Sequence, residues 1–68
     1  MLAQFSQLWS DGFQFVIGSY EGDYTADDFS EVEDIVLEVE DEDGYLYFEE
    51  VKIDQAAHVV YLFVGDDE

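Results

Sequence analysis

Glu38, Glu40, Asp41, Glu42 and Asp43 crowd into six positions of the chain. Clustered carboxylates have three chemistries open to them: general acid–base catalysis, calcium coordination, and attraction of cations carried by another molecule. Acid–base work needs one carboxyl group set apart from the others by its surroundings, and in a chain with 19 Asp and Glu, chance pairs are unavoidable and carry no weight. No Gly-x-Ser-x-Gly, His-Glu-x-x-His or phosphate-cradling glycine loop accompanies them. The calcium pattern is met in part: Asp41, Asp43, Gly44 and Glu50 would fill its third, fifth, sixth and twelfth positions, but the first would be Val39, which offers no ligand side chain. With no cysteine and a single histidine, disulfides and thiolate or multi-histidine zinc sites are excluded. The chain therefore reads as non-catalytic, without metal or cofactor, and the third chemistry is the one to pursue.

The charge favours it. A net charge of magnitude about 2 to 8 suffices for the solubility of a small domain, whereas this chain carries −18 in 68 residues. A fold of this length has a radius of gyration of about 11 Å, so most carboxylates lie within roughly two Debye lengths of several others. Lys52 is the one basic residue besides His58, and it is read as a neighbour for Glu50 on the same strand face. The remaining acids have no internal cations to pair with. Such a charge would suit a disordered chain, but 49% of the residues are hydrophobic and 18% aromatic, enough apolar area to offset the entropy of ordering.

The elements that must position these acids are read from periodicity. Leu2, Phe5, Leu8 and Trp9 stand at helical spacing over residues 2–9 and Ser10-Asp11-Gly12 supplies a stop, predicting a short N-terminal helix that Phe5 and Trp9 pack against a sheet. From Phe13 the period is two, with Phe13, Phe15 and Ile17 on one side of a strand that Gly18–Asp23 ends or bends. Thr25-Ala26-Asp27-Asp28 has the form of a helix N-cap. Phe29, Val32 and Val36 could follow on one helical face, while Ile35, Leu37 and Val39 alternate as in a strand, and the favoured reading is a turn or short helix at 25–31 passing into a strand near 32–40. Asp43-Gly44 is a hairpin signal joining it to a strand at 45–53, and a loop at 54–57 leads to a last strand at 58–64 and an acidic tail at 65–68. His58 is expected as a solvated turn histidine. The fold class is thus α+β: one domain, residues 1–68, with a short N-terminal helix on an antiparallel sheet of about four strands, 32–64 forming a β-meander.

In that arrangement Ile35, Leu37, Val39, Leu46 and Phe48 share the core face, and a tight last turn adds Val59, Tyr61 and Phe63. A slip of one residue would put Val60, Leu62 and Val64 there instead. The opposite face carries Asp34, Glu38, Glu40 and Glu49 among Val36, Tyr45, Tyr47 and Val51, a mixture suited to an interface. On a strand, Glu38 and Glu40 would stand about 6.6 to 6.8 Å apart, comparable to the coarse charge spacing of a nucleic-acid backbone.

In size, charge, aromatic content and expected sheet, the chain resembles the small acidic DNA-mimic proteins of bacterial viruses and mobile elements, most closely the anti-CRISPR proteins of type I systems, those of type I-C among them. The resemblance rests on Asp27-Asp28, Glu31, Glu33-Asp34, Glu38, Glu40-Asp41-Glu42-Asp43 and Glu49-Glu50. It implies a stoichiometric inhibitor that covers the basic surface on which a CRISPR surveillance complex recognises its target, for example that of a Cascade large subunit. The residues expected at that contact are Asp23, Asp27, Asp28, Glu31, Glu33, Asp34, Glu38, Glu40, Asp41, Glu42, Asp43, Tyr45, Tyr47 and Glu49. The partner is then a basic DNA-binding protein and not nucleic acid itself, whose phosphates the chain would repel.

Two other classes share the composition. An immunity-type or regulatory protein could neutralise a basic enzyme or toxin without imitating DNA, leaning more on Tyr45 and Tyr47, and a domain of a salt-loving organism could use the acids to hold water. The longest apolar run, Val59–Val64, is far short of the ~20 residues that span a bilayer, and the N-terminus lacks the basic start and apolar stretch of a secretion signal. The expectation is a monomer in the bacterial cytoplasm, away from the anionic membrane surface.

Overall fold

A computed structural model describes residues 2–40 and 46–66, with Asp66 described in its backbone only. Helix α1 (Leu2–Ser10) has the extent its periodicity predicts. It ends in a Schellman closure: the Phe13 N–H donates to the Leu8 carbonyl at 3.1 Å and the Gly12 N–H to the Trp9 carbonyl at 3.1 Å. This needs a left-handed residue at position 12, where Gly12 takes φ 95°.

Strand β1 (Gln14–Ser19) turns back through Tyr20-Glu21 into β2 (Gly22–Thr25). The sequence reading has only a bend here. All four residues of β2 are exposed, so the strand carries no apolar alternation by which it could be detected. The turn is held by the Ser19 hydroxyl, which donates to the Gly22 carbonyl at 3.0 Å and accepts the Glu21 N–H at 3.2 Å.

The largest departure is α2 (Phe29–Glu40), a continuous helix where a strand at 32–40 is expected. Val32 and Val36 are fully buried, with Phe29 and Ile35 packed beside them, whereas Leu37 is 52% exposed. This is a helical pattern, since a strand would have placed Leu37 with Ile35. The start is fixed by a capping arrangement around Asp28-Phe29-Ser30-Glu31. The Asp28 carboxylate accepts the Glu31 N–H at 3.2 Å and the Ser30 hydroxyl at 2.5 Å, and the Glu31 carboxylate accepts the Asp27 N–H at 2.6 Å. The cap is therefore Asp28, while Thr25 closes β2.

The Ser30 hydroxyl and the Glu31 N–H hold the Asp28 carboxyl below its ordinary value of 3.8. A lowered folded-state value means that this contribution to stability is complete above the unfolded value and is lost as pH falls through the folded one. Asp28→Ala should accordingly lower the melting temperature by a few degrees at pH 7, and the gap to the parent chain should narrow below about pH 4. Thermal melts followed by circular dichroism at pH 7 and pH 3 measure both; an unchanged pH 7 melt rejects the cap.

Strands β3 (Leu46–Asp54) and β4 (Val59–Asp66) form an antiparallel hairpin. Its turn is tied by the Asp54 carboxylate accepting the Ala57 N–H at 3.0 Å, and exposed His58 occupies the left-handed region at φ 57°. The imidazole lies on the Phe13 ring with centroids 4.7 Å apart. The hairpin signal at Asp43-Gly44 falls outside the described residues; the segment that leads to it is α2 and not a strand.

The four strands run in the order β2-β1-β4-β3. Because β1 and β4 pair in parallel at the centre, the sheet is mixed, not the antiparallel meander expected for 32–64. A parallel pair requires a crossover, and α2 supplies it by carrying the chain from the β2 edge to the β3 edge. The fold class is α+β, with two helices among the described residues, the second a full helix where a turn or short helix at 25–31 is expected.

The parallel partners settle the facing of β4. Val60 lies beside Phe15 and Leu62 beside Ile17, so Val60, Leu62 and Val64 enter the core and Val59, Tyr61 and Phe63 face away, the reverse of the expected assignment. A bulge between Phe48 and Glu50 shifts the parity of β3 as well, pairing Val51 with Leu62 on the helix side instead of placing it with Tyr47. Phe5 stands edge-on to Phe15 at 5.9 Å and to Phe48 at 6.2 Å, and Trp9 packs between Phe15 and Phe29. No polar or charged residue is buried among the described residues.

Candidate partner-binding surface

The acids divide between two faces of the molecule. On α2, the residues turned away from the core include Glu33, Asp34, Glu38 and Glu40, all exposed, with Glu31 half-buried. At about 100° per residue, Glu31, Asp34 and Glu38 fall in one row and Glu33 and Glu40 in a second. The helical rise of 1.5 Å separates the members of the first row by about 4.5 and 6 Å along the axis. Exposed Asp27 and Asp28 extend the acidic surface past the helix start. Tyr24 of β2 flanks the first row: partial burial raises its phenol above the ordinary value of 10.0, and the charges of Glu31 and Glu38 add to the effect. The expected 6.6 Å strand ladder of Glu38 and Glu40 is not formed, because on a helix these two project in different directions.

The second face is the side of the sheet opposite α1 and α2, which no helix of the described residues covers. The pairings of β1, β3 and β4 put Tyr47, Glu50, Tyr61, Phe63 and Lys52 there. Two glycines form its floor. A Cβ on Gly18 would come within 2.9 Å of Tyr61 Cζ, and one on Gly65 within 2.8 Å of Tyr47 Cζ, so the phenol ends of the two side chains pass over bare backbone. The Tyr61 phenol is raised above its ordinary value, chiefly by loss of water contact and then by the charges of Asp23 and Glu50.

Tyr20 reaches over this face from the β1–β2 turn. Its ring stands edge-on to Phe63 at 5.3 Å, and its hydroxyl donates to Glu49 Oε1 at 2.7 Å, joining the turn to β3 across the intervening strand. That hydrogen bond to a carboxylate is the main reason its phenol is raised. A raised value means the strut contributes below the ordinary phenol range and is lost as pH rises through the folded value. In an absorbance titration of phenolate above pH 9, the amplitude lost in Tyr20→Phe should be late-titrating amplitude; a variant whose lost amplitude falls in the ordinary phenol range excludes the strut.

Lys52 pairs with Glu50 at 3.3 Å, both side chains well exposed, as the sequence reading expects. Among the described residues, no group of three or more His, Asp and Glu side chains is arranged to hold a metal ion, and no helix is long and apolar enough to cross a membrane.

Of the expected contact residues, Asp27, Asp28, Glu31, Glu33, Asp34, Glu38 and Glu40 come together on and around α2, while Tyr47 and Glu49 lie with the open sheet face. Asp23 is on β2 beside Gly18, on the side of Tyr61. Asp41, Glu42, Asp43 and Tyr45 lie outside the described residues. The single mixed face expected from Asp34, Glu38, Glu40 and Glu49 with Val36 is not formed, since Val36 is fully buried and the acids of α2 do not share a face with Glu49. Tyr20, Tyr24, Tyr61 and Phe63 are surface residues outside the expected set; the alternative register of the last strand, with Val60, Leu62 and Val64 inward, is the sequence signal for Tyr61 and Phe63. The chain matches no protein-family model, no curated protein and no solved structure.

Proposed function

We propose that the chain is a non-catalytic DNA mimic of the anti-CRISPR kind, and that the acidic rows of α2 occupy the basic site at which a type I surveillance complex recognises its target. One observation carries this reading: the α2 surface presents Glu33, Asp34, Glu38 and Glu40 to solvent, and the one lysine of the chain is engaged elsewhere, with Glu50. Each exposed carboxylate repels its neighbours in the free protein and gains a cation only on another surface. The row Glu31, Asp34 and Glu38, with members about 4.5 and 6 Å apart along the axis, offers basic side chains a coarse equivalent of phosphates, and Glu33 and Glu40 carry the charge round to the flank of the helix. A basic protein groove would be drawn to it by long-range attraction, and the bound helix would then exclude duplex.

The test is competition. A labelled target duplex bound to a type I surveillance complex should be released by the protein at close to one equivalent, with affinity that drops steeply between 50 and 200 mM salt as condensed ions compete. A ternary complex, with duplex and protein bound together and neither weakening the other, rejects the proposal.

A further inference from the structure

We infer that the open sheet face is a docking surface for an arginine-bearing segment of a protein partner, with guanidinium groups lying against Tyr20, Tyr61 and Phe63 and held by Glu49 and Glu50. This is a different face from α2, and it does not depend on DNA mimicry.

The rings already form a connected tier: Tyr20 meets Phe63 at 5.3 Å and Phe63 meets Tyr61 at 6.4 Å. Tyr20 is 70% exposed. Between the rings and β3 runs an open cleft of about 480 Å³ lined by Glu49, Glu50, Tyr61 and Phe63, so two aromatic walls and two carboxylates converge on one space. Aromatic faces attract cations through the ring quadrupole, and a carboxylate beside them supplies the counter-charge and the hydrogen-bond acceptors.

The composition of the cleft selects its occupant. A phosphate-bearing ligand is repelled by both carboxylates, and a second copy of the chain would bring another −18. A cationic partner is complementary, and the chain's own Lys52 already places its ammonium 3.3 Å from Glu50 at the rim, 70% exposed and free to be displaced. Arginine suits the site better than lysine. Its planar guanidinium stacks on rings, sheds water more readily than an ammonium, and can give two parallel N–H bonds to one carboxylate.

Binding of fluorescein-labelled hexa-arginine, hexa-lysine and hexa-citrulline to the full chain, followed by anisotropy at 150 mM salt, tests this. Hexa-arginine should bind about tenfold tighter than hexa-lysine, and the neutral citrulline peptide should not bind. Tyr20→Leu/Phe63→Leu, which keeps apolar bulk but removes two rings, should bring the arginine-to-lysine ratio close to one. Tyr20→Leu alone, at an exposed position that leaves the core intact, should reduce the ratio by about half or more. Asp34→Asn/Glu38→Gln on the other face should weaken both cationic peptides and keep the ratio at or above its parent value, so failure of the DNA-competition test and failure here are separable. A ratio near one in the parent chain, or a ratio that survives both ring variants with their circular dichroism unchanged, overturns the inference.

Discussion

Replacing Glu33, Asp34, Glu38 and Glu40 with their amides should weaken binding to the proposed basic partner by about a hundredfold at low salt while raising the melting temperature slightly. The two effects have one origin. Solvent-exposed charge contacts contribute only about 0.2 to 1 kcal/mol each, so four of them at the middle of that range together amount to roughly two orders of magnitude in affinity. In the free protein the same groups oppose one another. Asp34 and Glu38 stand one helical turn apart, where like charges destabilise a helix by roughly 0.2 to 0.5 kcal/mol, and no cation is available on α2 to relieve them. The chosen four lie outside the Asp28–Glu31 cap, so the helix start is preserved. Isothermal titration against the partner at 50 mM salt and a thermal melt of each protein give both numbers. Unchanged affinity would show that α2 does not face the partner; lost affinity with lost stability would show damage to the fold instead.

Phe15→Ala should leave the chain largely unfolded in dilute buffer at 25 °C. Phe15 is fully buried near the start of β1, one of the two inner strands of the sheet, with Phe5 and Trp9 against its ring. Emptying such a site costs about 3 to 5 kcal/mol. Stabilities of roughly 0.05 to 0.15 kcal/mol per residue give a chain of this length about 3 to 10 kcal/mol in total. Charge repulsion in a molecule of 11.5 Å radius of gyration places it toward the low end of that range. Near-ultraviolet and far-ultraviolet circular dichroism with a urea titration will show the loss of the cooperative transition. A midpoint within error of the parent would mean that the aromatic cluster is not the core. Moderate salt should recover part of the folded population by screening the acids.

Several features were legible in the residues themselves. The spacing of Leu2, Phe5, Leu8 and Trp9 and the glycine after Asp11 define α1, because its apolar stripe has only one period and its stop needs a left-handed residue. The alternation of Phe15 and Ile17 defines the buried side of β1, and the pairing of Lys52 with Glu50 follows from their positions on one strand. The excess of unpaired acid is a property of composition and does not depend on any fold.

The tertiary structure decided how those acids are grouped. Residues 29–40 satisfy a helical and an extended period at once, and what separates the two is the cap at Asp28 together with a crossover that only a parallel β1–β4 pair demands. The run Val59–Val64 is apolar on both sides, so its inward face is set by contact with Phe15 and Ile17 across the sheet, a contact made between strands more than forty residues apart. Once β4 is turned that way, Tyr61 and Phe63 are on the open face and the acids of α2 on the other. Periodicity records which side chains of one segment travel together; which side meets the core depends on a neighbour that the segment does not contain.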